Sequence, residues 1–358
     1  MDLSRDLQEQ LQAMLSGKQP VAISAGHSKD FYGREIKGEP FSVADHAGVL
    51  EYDFRELVIT VRSGTSINDL QKVLAENNQM LAFEPPVFSG KDSIGGLLAC
   101  GLSGPRRPYV GSARDFVLGC TLLNGKAEKL KFGGQVMKNV AGYDVSRLMI
   151  GAMGTLGVIL DVSLKVLPIP EVEKTLVIEK PLNDALDYIN NIDTQRFPVS
   201  ASAYVDNRLY LRLSGMEKPL ETYLKHIKKH IKEDFVEADS SFWQKLKDHQ
   251  LDFFNTDKTL WRISVPPATG VLGLQGKTLY EWRGAQRWFI ADDETHSNGH
   301  IANLVKQAGG HATQFRNADR SSEVFNPLPD VLKKYHIKLK QAMDPDGLLN
   351  PGRFYSYF

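Results

Sequence analysis

The spacing of apolar and polar positions in the first half of the chain predicts short strands and one capped helix. ELVITVRSG (56–64) alternates and is rich in β-branched residues, which is typical of a strand. In the SINDLQKVLAENN that follows, Ser66 precedes Asp69 by three residues, ahead of apolar residues at helical spacing. This pattern predicts a helix that begins after Ser66.

Three more apolar runs predict strands. FVLGCTLLNGKAEKLKF (116–132) holds Asn124-Gly125 between two apolar segments, a pattern that predicts a hairpin. GTLGVILDVSLKVLP (154–168) is a further strand candidate, and PVAISAG (20–26) resembles a strand that enters a loop. The first half is therefore predicted to be α+β.

Beyond PIPEVEK, near residue 170, glycine becomes rarer and Lys and Glu become more frequent, which indicates a domain boundary. SASAYVDNRLYLRLSG (200–215) alternates on both sides of Asp206-Asn207 and predicts two strands joined by a turn. VLKKYHIKLKQAM (331–343) predicts a late helix.

Composition then narrows the function classes. The 358 residues include 43 basic and 43 acidic side chains, so no broad field would attract nucleic acid or an anionic membrane. Two cysteines, Cys100 and Cys120, cannot supply the four ligands of an iron–sulfur cluster. The first twenty residues mix acids with leucines and do not resemble a signal peptide. We expect a cytoplasmic protein that reaches a membrane only indirectly, through partners.

The segment SIGGLLACGLSGPRRPYVGSARDFV (93–117) contains five glycines, and glycine clusters favour close approach of a ligand to the backbone. A Walker loop does not fit, because five residues, rather than four, separate Gly270 from Gly276-Lys277-Thr278. A Rossmann fingerprint does not fit either, because GAMGTLG (151–157) leads into a strand. The interpretation that remains is a set of separate loops that bind one extended anion through their backbone N–H groups.

These segments carry a family resemblance. Four segments resemble the FAD-binding domain of the vanillyl-alcohol oxidase and p-cresol methylhydroxylase flavoproteins and occur in the same order as in that domain. They are AGHSKDFYG, the Ser93–Gly96 turn, GSARDFV and GAMGTLGVI. More narrowly, four longer segments together look like the FAD-binding subunits of bacterial glycolate oxidases. They are CGLSGPRRPYVGSARDFVLG, FGGQVMKNVAGYDVSRLMIGAMGTLGV, GGHATQFR and LLNPGRFY. The match is close over residues 20–168 and looser toward the C-terminus.

The resemblance implies an α+β fold. Residues 1–170 would form a two-subdomain FAD-binding domain of the p-cresol methylhydroxylase type, and residues 171–330 a smaller α+β cap domain on an antiparallel sheet. Residues 331–358 would return to the FAD domain.

The resemblance also implies which residues bind FAD. The loop from Ala25 to Ser28 would wrap the pyrophosphate, the Ser93–Gly96 turn would add N–H donors, and the glycine loops would follow the length of the flavin. The full expected set is Ala25, Gly26, His27, Ser28, Pro86, Ser93, Ile94, Gly95, Gly96, Gly101, Ser103, Gly104, Gly111, Gly142, Gly154, Gly157, Val158 and Ile159. His27 would contact the pyrophosphate or solvent, or attach FAD covalently; Gly142 would contact flavin or belong to a helix start capped by Asp144.

The function implied by the resemblance is oxidation of glycolate to glyoxylate by hydride transfer to FAD. Electrons would leave through a larger flavin subunit and an iron–sulfur subunit. His311 is a candidate base and Arg316 a candidate carboxylate clamp for a small 2-hydroxy acid. No metal is expected, since lysines surround the His226-x-x-x-His230 pair. A stand-alone FAD-dependent oxidoreductase and a non-catalytic interaction subunit remain as alternatives.

Overall fold

The computed structural model describes residues 1–134, 144–192, 198–230, 235–292 and 298–358. The helices are α1 (Ser4–Ser16), α2 (Ile67–Ala75), α3 (Ile94–Cys100), α4 (Arg107–Val110), α5 (Ala113–Phe116), α6 (Val145–Leu148), α7 (Leu182–Asn191), α8 (Glu217–His230), α9 (Ser241–Lys247), α10 (Asn298–Gln307) and α11 (Asp330–Met343). The strands are β1 (Val21–Ser24), β2 (Glu39–Ser42), β3 (Val49–Asp53), β4 (Val58–Arg62), β5 (Gln79–Met80), β6 (Val117–Leu123), β7 (Lys129–Gly133), β8 (Val158–Lys165), β9 (Leu167–Pro168), β10 (Val172–Glu179), β11 (Val199–Val205), β12 (Arg208–Gly215), β13 (Val236–Ala238), β14 (Leu260–Ser264), β15 (Gly276–Glu281), β16 (Gln286–Ala291) and β17 (His311–Arg316).

These elements form two compact units. Unit 1 contains Met1–Ser103, Gly111–Pro168 and Asp319–Phe358, and unit 2 contains Gly104–Val110 and Ile169–Ala318. Within unit 1, a five-stranded sheet has the order β3-β4-β8-β6-β7, and β1 pairs with β2 in parallel. The protein is therefore α+β, as expected.

Helix α1 packs on β1 and β2 because its apolar residues recur at helical spacing. Leu7, Leu11 and Met14 fall on one stripe and are buried. They belong to the same core cluster as Val21 of β1 and Phe41 of β2. This core supports the loop that follows β1, since Ala25 packs against it.

Two local predictions are confirmed in unit 1. Ser66 caps α2, and its hydroxyl accepts a hydrogen bond from the Asp69 N–H at 3.5 Å. Strands β6 and β7 form the predicted hairpin, with Leu123 opposite Lys129. Its loop is longer than a two-residue turn, because Asn124 Oδ1 accepts N–H bonds from both Lys126 and Glu128 at 2.9 Å.

Unit 2 is built on an eight-stranded sheet of order β13-β10-β12-β11-β15-β16-β14-β17, in which the paired strands are antiparallel. The predicted turn at Asp206-Asn207 joins β11 to β12, with φ of +50° and +59°. Both positive values suit the tight hairpin turns that match strand twist. An antiparallel sheet in this part of the chain agrees with the expectation.

The unit boundaries differ from the predicted domains in two places. The chain returns to unit 1 at Asp319 rather than at residue 331, and Arg320 donates hydrogen bonds to the carbonyls of Gly33 and Arg34 there. The segment 104–110 belongs to unit 2. The Trp282 indole donates a hydrogen bond to the Gly104 carbonyl at 3.0 Å, and this long-range contact ties the segment to unit 2.

Candidate functional site

A large cavity in unit 1 brings together the end of β1, the loop that follows it, the first turn of α3, the start of β8 and the C-terminal segment. Its volume is about 370 Å³. A cavity of this volume lies within the range of small-molecule and cofactor sites.

The loop after β1 forms one wall of this cavity. Gly26, His27, Ser28 and Lys29 make no backbone N–H hydrogen bond to any residue that the structure describes. His27 adopts a left-handed conformation, with φ of +56°. A left-handed residue among successive amides forms a nest, the backbone concavity that binds phosphate and other anions. A wall of this kind has the geometry that suits a bound anion.

A buried ion pair holds this loop against the turn before α3. The Lys29 ammonium contacts the Asp92 carboxylate and donates to Ser28 Oγ at 3.0 Å. Asp92 also accepts the Ser89 N–H at 2.7 Å. Burial raises the pKa of the Asp92 carboxyl, but the Lys29 ammonium outweighs it and holds that pKa below its ordinary value. The Asp92 carboxyl is therefore ionised at neutral pH.

Gly26 and Gly95 are required by protein packing. A Cβ added at Gly26 would lie 1.5 Å from the Lys91 carbonyl oxygen, and one at Gly95 would lie 2.6 Å from Ser63 Cβ. The loops that line the cavity thus approach each other too closely for any side chain at these two positions. Loop packing therefore requires glycine at these two positions, and their expected contact with a cofactor stays a prediction.

The first turn of α3 lines the cavity but supplies no free N–H donor among its first three amides. The Ile94 N–H donates to Thr65 O, the Gly95 N–H to Ser63 O and the Gly96 N–H to Ser93 Oγ. The expectation that this turn adds donors is wrong, because local capping and loop packing already use them.

The C-terminal segment stabilises the same loop. The Arg353 guanidinium donates to the carbonyls of Lys29 and Asp30 at 3.2 and 3.4 Å. Asn350 accepts the Ile23 N–H and donates to Met153 O, both at 2.7 Å. Sequence reasoning missed these two cavity-lining residues and the Lys29–Asp92 pair, although the LLNPGRFY motif contains both Asn350 and Arg353.

The expected cofactor residues divide into three groups. Those that line the cavity are Ala25, Gly26, His27, Ser28, Ser93, Gly95, Gly96, Gly154, Gly157, Val158 and Ile159. Those that do not line it are Pro86, Ile94, Gly101, Ser103, Gly104 and Gly111. Gly142 lies outside the described residues.

Local contacts explain several of the exceptions. Gly101 ends α3 with φ of +65°, and the Ser103 hydroxyl accepts the Ala113 N–H at 2.9 Å. Ile94 is fully buried. The side chain of His27 is exposed, and its Nδ1 lies 2.8 Å from Asp30 Oδ2.

His311 and Arg316, the expected base and carboxylate clamp, begin and end strand β17 of unit 2. Five residues along a strand span about 16 Å. That distance is too long for the two to hold one glycolate-sized molecule as neighbours on the strand, so the structure does not support this pairing.

The described ranges lack both a metal cluster and a membrane-spanning helix. They contain no group of three or more His, Cys, Asp or Glu side chains placed to hold a metal ion. Within them, no helix has the length and apolar character needed to cross a bilayer.

Comparison with known proteins decides the family. An FAD binding domain family model matches residues 4–133. The glycolate oxidase subunit GlcE of Escherichia coli is 42% identical over 355 residues, which cover 99% of this chain and 98% of that protein. The chain belongs to the GlcE family of glycolate oxidase subunits.

More distant relatives share only part of the chain. The glycolate oxidase subunit GlcD of Bacillus subtilis and a D-lactate dehydrogenase of Anaerostipes hadrus are each 35% identical over 130 residues, 36% of this chain and 27% of theirs. An alkyldihydroxyacetonephosphate synthase structure superposes with a TM-score of 0.68 at 15% identity, covering 96% of this chain and 74% of that one, and so supports the fold alone. The GlcE-family chain is an FAD-linked oxidoreductase, and its nest suits the pyrophosphate of FAD.

Proposed function

We propose that this chain is the FAD-binding subunit of a glycolate oxidase complex that converts glycolate to glyoxylate. The relative that carries this assignment matches over nearly its whole length, at 42% identity. The structural observation that supports it is the nest at residues 26–29, which lines the cavity and whose four N–H groups have no acceptor among the described residues.

In this proposal the nest binds the two pyrophosphate charges of FAD. Main-chain donors suit a pyrophosphate without a lysine contact, and here the Lys29 ammonium is already engaged by Asp92. The ion pair and the Arg353 bonds keep the loop in its binding shape. When bound, FAD supplies the two-electron acceptor that oxidation of a hydroxy acid needs.

Partner subunits complete the proposal. Cys100 and Cys120 are free thiols, and two cysteines are too few for an iron–sulfur cluster. We propose that electrons leave through an iron–sulfur subunit, that a larger flavin subunit assembles with this chain, and that the complex is cytoplasmic and reaches the membrane only through its partners. The subunit names of the relatives support an assembly of this kind.

The test begins with an absorption spectrum of the purified chain, followed by anaerobic glycolate addition to the chain alone and to the assembled complex. We expect a flavin spectrum from the chain and bleaching by glycolate in the complex. Bleaching of the isolated chain by a different hydroxy acid, with no response of the complex to glycolate, would overturn the proposal in favour of a stand-alone oxidoreductase. A chain that stays colourless after FAD addition would instead indicate an interaction subunit.

A further inference from the structure

The face of the unit 2 sheet that carries Arg262 presents a fixed guanidinium. On the opposite face, Trp261 and Ile263 of β14 pack in one core cluster with Ile301 and Val305 of α10. Since side chains alternate along a strand, Arg262 lies on the face away from this cluster. The Arg262 side chain is only partly buried there.

Arg262 is held in place at one nitrogen and by one aromatic ring. Its Nε donates to Gln286 Oε1 at 2.8 Å, and its Cζ lies 5.4 Å from the centre of the Trp282 ring. Gln286 in turn donates to Glu281 Oε2 at 2.9 Å, which also accepts the Trp288 indole N–H at 2.6 Å. This chain of hydrogen bonds orients the guanidinium before any ligand arrives.

The two terminal nitrogens of Arg262 are available. Among the described residues, neither Nη1 nor Nη2 has a hydrogen-bond or ion-pair partner. The Gln286 amide stands between Arg262 and the Glu281 carboxylate, since it accepts from Arg262 Nε and donates to Glu281 Oε2. A planar fork of two free N–H pairs matches a carboxylate, which it binds through two parallel hydrogen bonds.

His311 is a neighbour of Arg262 across the sheet. In the β14–β17 register, Arg262 lies opposite Thr313 and Ser264 lies opposite His311. Arg262 and His311 are therefore diagonal neighbours, about 7–8 Å apart at the backbone. Burial first, and then the Arg262 charge, lower the pKa of the His311 imidazole. A neutral imidazole can accept a hydrogen bond from a hydroxyl group.

We propose that Arg262 binds the carboxylate of a small 2-hydroxy acid in unit 2, and that His311 accepts a hydrogen bond from the hydroxyl group of the same molecule. Arg262 thereby replaces Arg316 as the partner of His311. The identity of the acid rests on the proposed function, whereas the carboxylate site itself follows from the free guanidinium fork.

The experiment measures glycolate binding to the full chain loaded with FAD. Isothermal titration gives the affinity, and the imidazole NMR signal of His311, assigned with His311→Gln, reports proximity. Arg262→Gln should weaken glycolate binding by about 30-fold or more, since it removes a charge-assisted bidentate contact. Arg208→Gln is the matched control, because Arg208 is an exposed arginine on the same sheet and should change affinity less than twofold.

The readouts separate the inference from the proposed function. Equal glycolate affinity in Arg262→Gln and Arg208→Gln, or no saturable glycolate binding by the unsubstituted chain, overturns the site. A larger effect of Arg316→Gln than of Arg262→Gln also overturns it. The flavin spectrum of the same samples and glycolate bleaching of the complex decide the proposed function independently, and unchanged melting temperatures show that the variants are folded.

Discussion

Replacement of Gly26 by alanine tests the nest at residues 26–29 where it packs most closely against another loop. The new Cβ would stand 1.5 Å from the Lys91 carbonyl oxygen, whereas an ordinary contact needs about 3.4 Å. The loop at residues 26–29 must therefore move by roughly 2 Å, because the obstacle is backbone and cannot rotate away. Such a shift takes the nest amides out of hydrogen-bonding range of a pyrophosphate.

The expected loss follows from the bonds that the shift breaks. A hydrogen bond to a charged group contributes about 1.5–3 kcal/mol. Loss of two of the four nest contacts then costs about 3–6 kcal/mol, which corresponds to roughly a 10²- to 10⁴-fold weaker Kd for FAD. The fold itself should lose about 1–3 kcal/mol from the overpacked contact.

Flavin titration of the apo chain, followed by fluorescence quenching, measures this loss. Gly90→Ala is the matched control, since a Cβ at Gly90 meets nothing within 4 Å. We expect Gly90→Ala to bind FAD like the unsubstituted chain. Equal FAD affinity of the two alanine variants would refute the assignment of the nest.

Three further predictions concern the supports of the site. Lys29→Met leaves a buried carboxylate without its partner and should cost about 3–5 kcal/mol in urea unfolding, against about 0.5 kcal/mol or less for the exposed Lys72→Met. The pKa of Asp92 is lower in the folded chain than in the unfolded one, so the stability that its carboxylate contributes is present above about pH 4 and is lost as the pH falls through the folded value. Asp92→Asn should therefore lose less stability in acid than the unsubstituted chain. An unchanged dependence of unfolding free energy on acid pH would contradict this. Lys340 donates at 2.7–2.8 Å to two carbonyls and a carboxylate, so Lys340→Met should lose about 3–5 kcal/mol and release the C-terminal segment to proteolysis, whereas Lys338→Met, on the exposed side of α11, should do neither.

Features with local causes could be predicted from the sequence. The cap at Ser66 and the hairpin at Asn124-Gly125 depend on residues that lie within a few positions of one another. The loop from Ala25 to Ser28 lines the cavity because a short apolar strand leads directly into it.

Features with distant causes could not be predicted. The need for glycine at position 26 comes from Lys91, and the place of the 104–110 segment in unit 2 comes from contacts such as Trp282 with Gly104. The expected pairing of His311 with Arg316 failed for the same kind of reason. Proximity in the sequence placed both on one strand, whereas the register of β14 against β17 gives His311 a nearer arginine at position 262.

The most direct measurement is FAD binding by the purified chain, read as a saturable titration together with the shift in melting temperature. The account predicts binding at about one flavin per chain and a higher melting temperature with FAD, because a ligand that binds only the folded state stabilises it. No saturable binding and no change in melting temperature at excess FAD would contradict it.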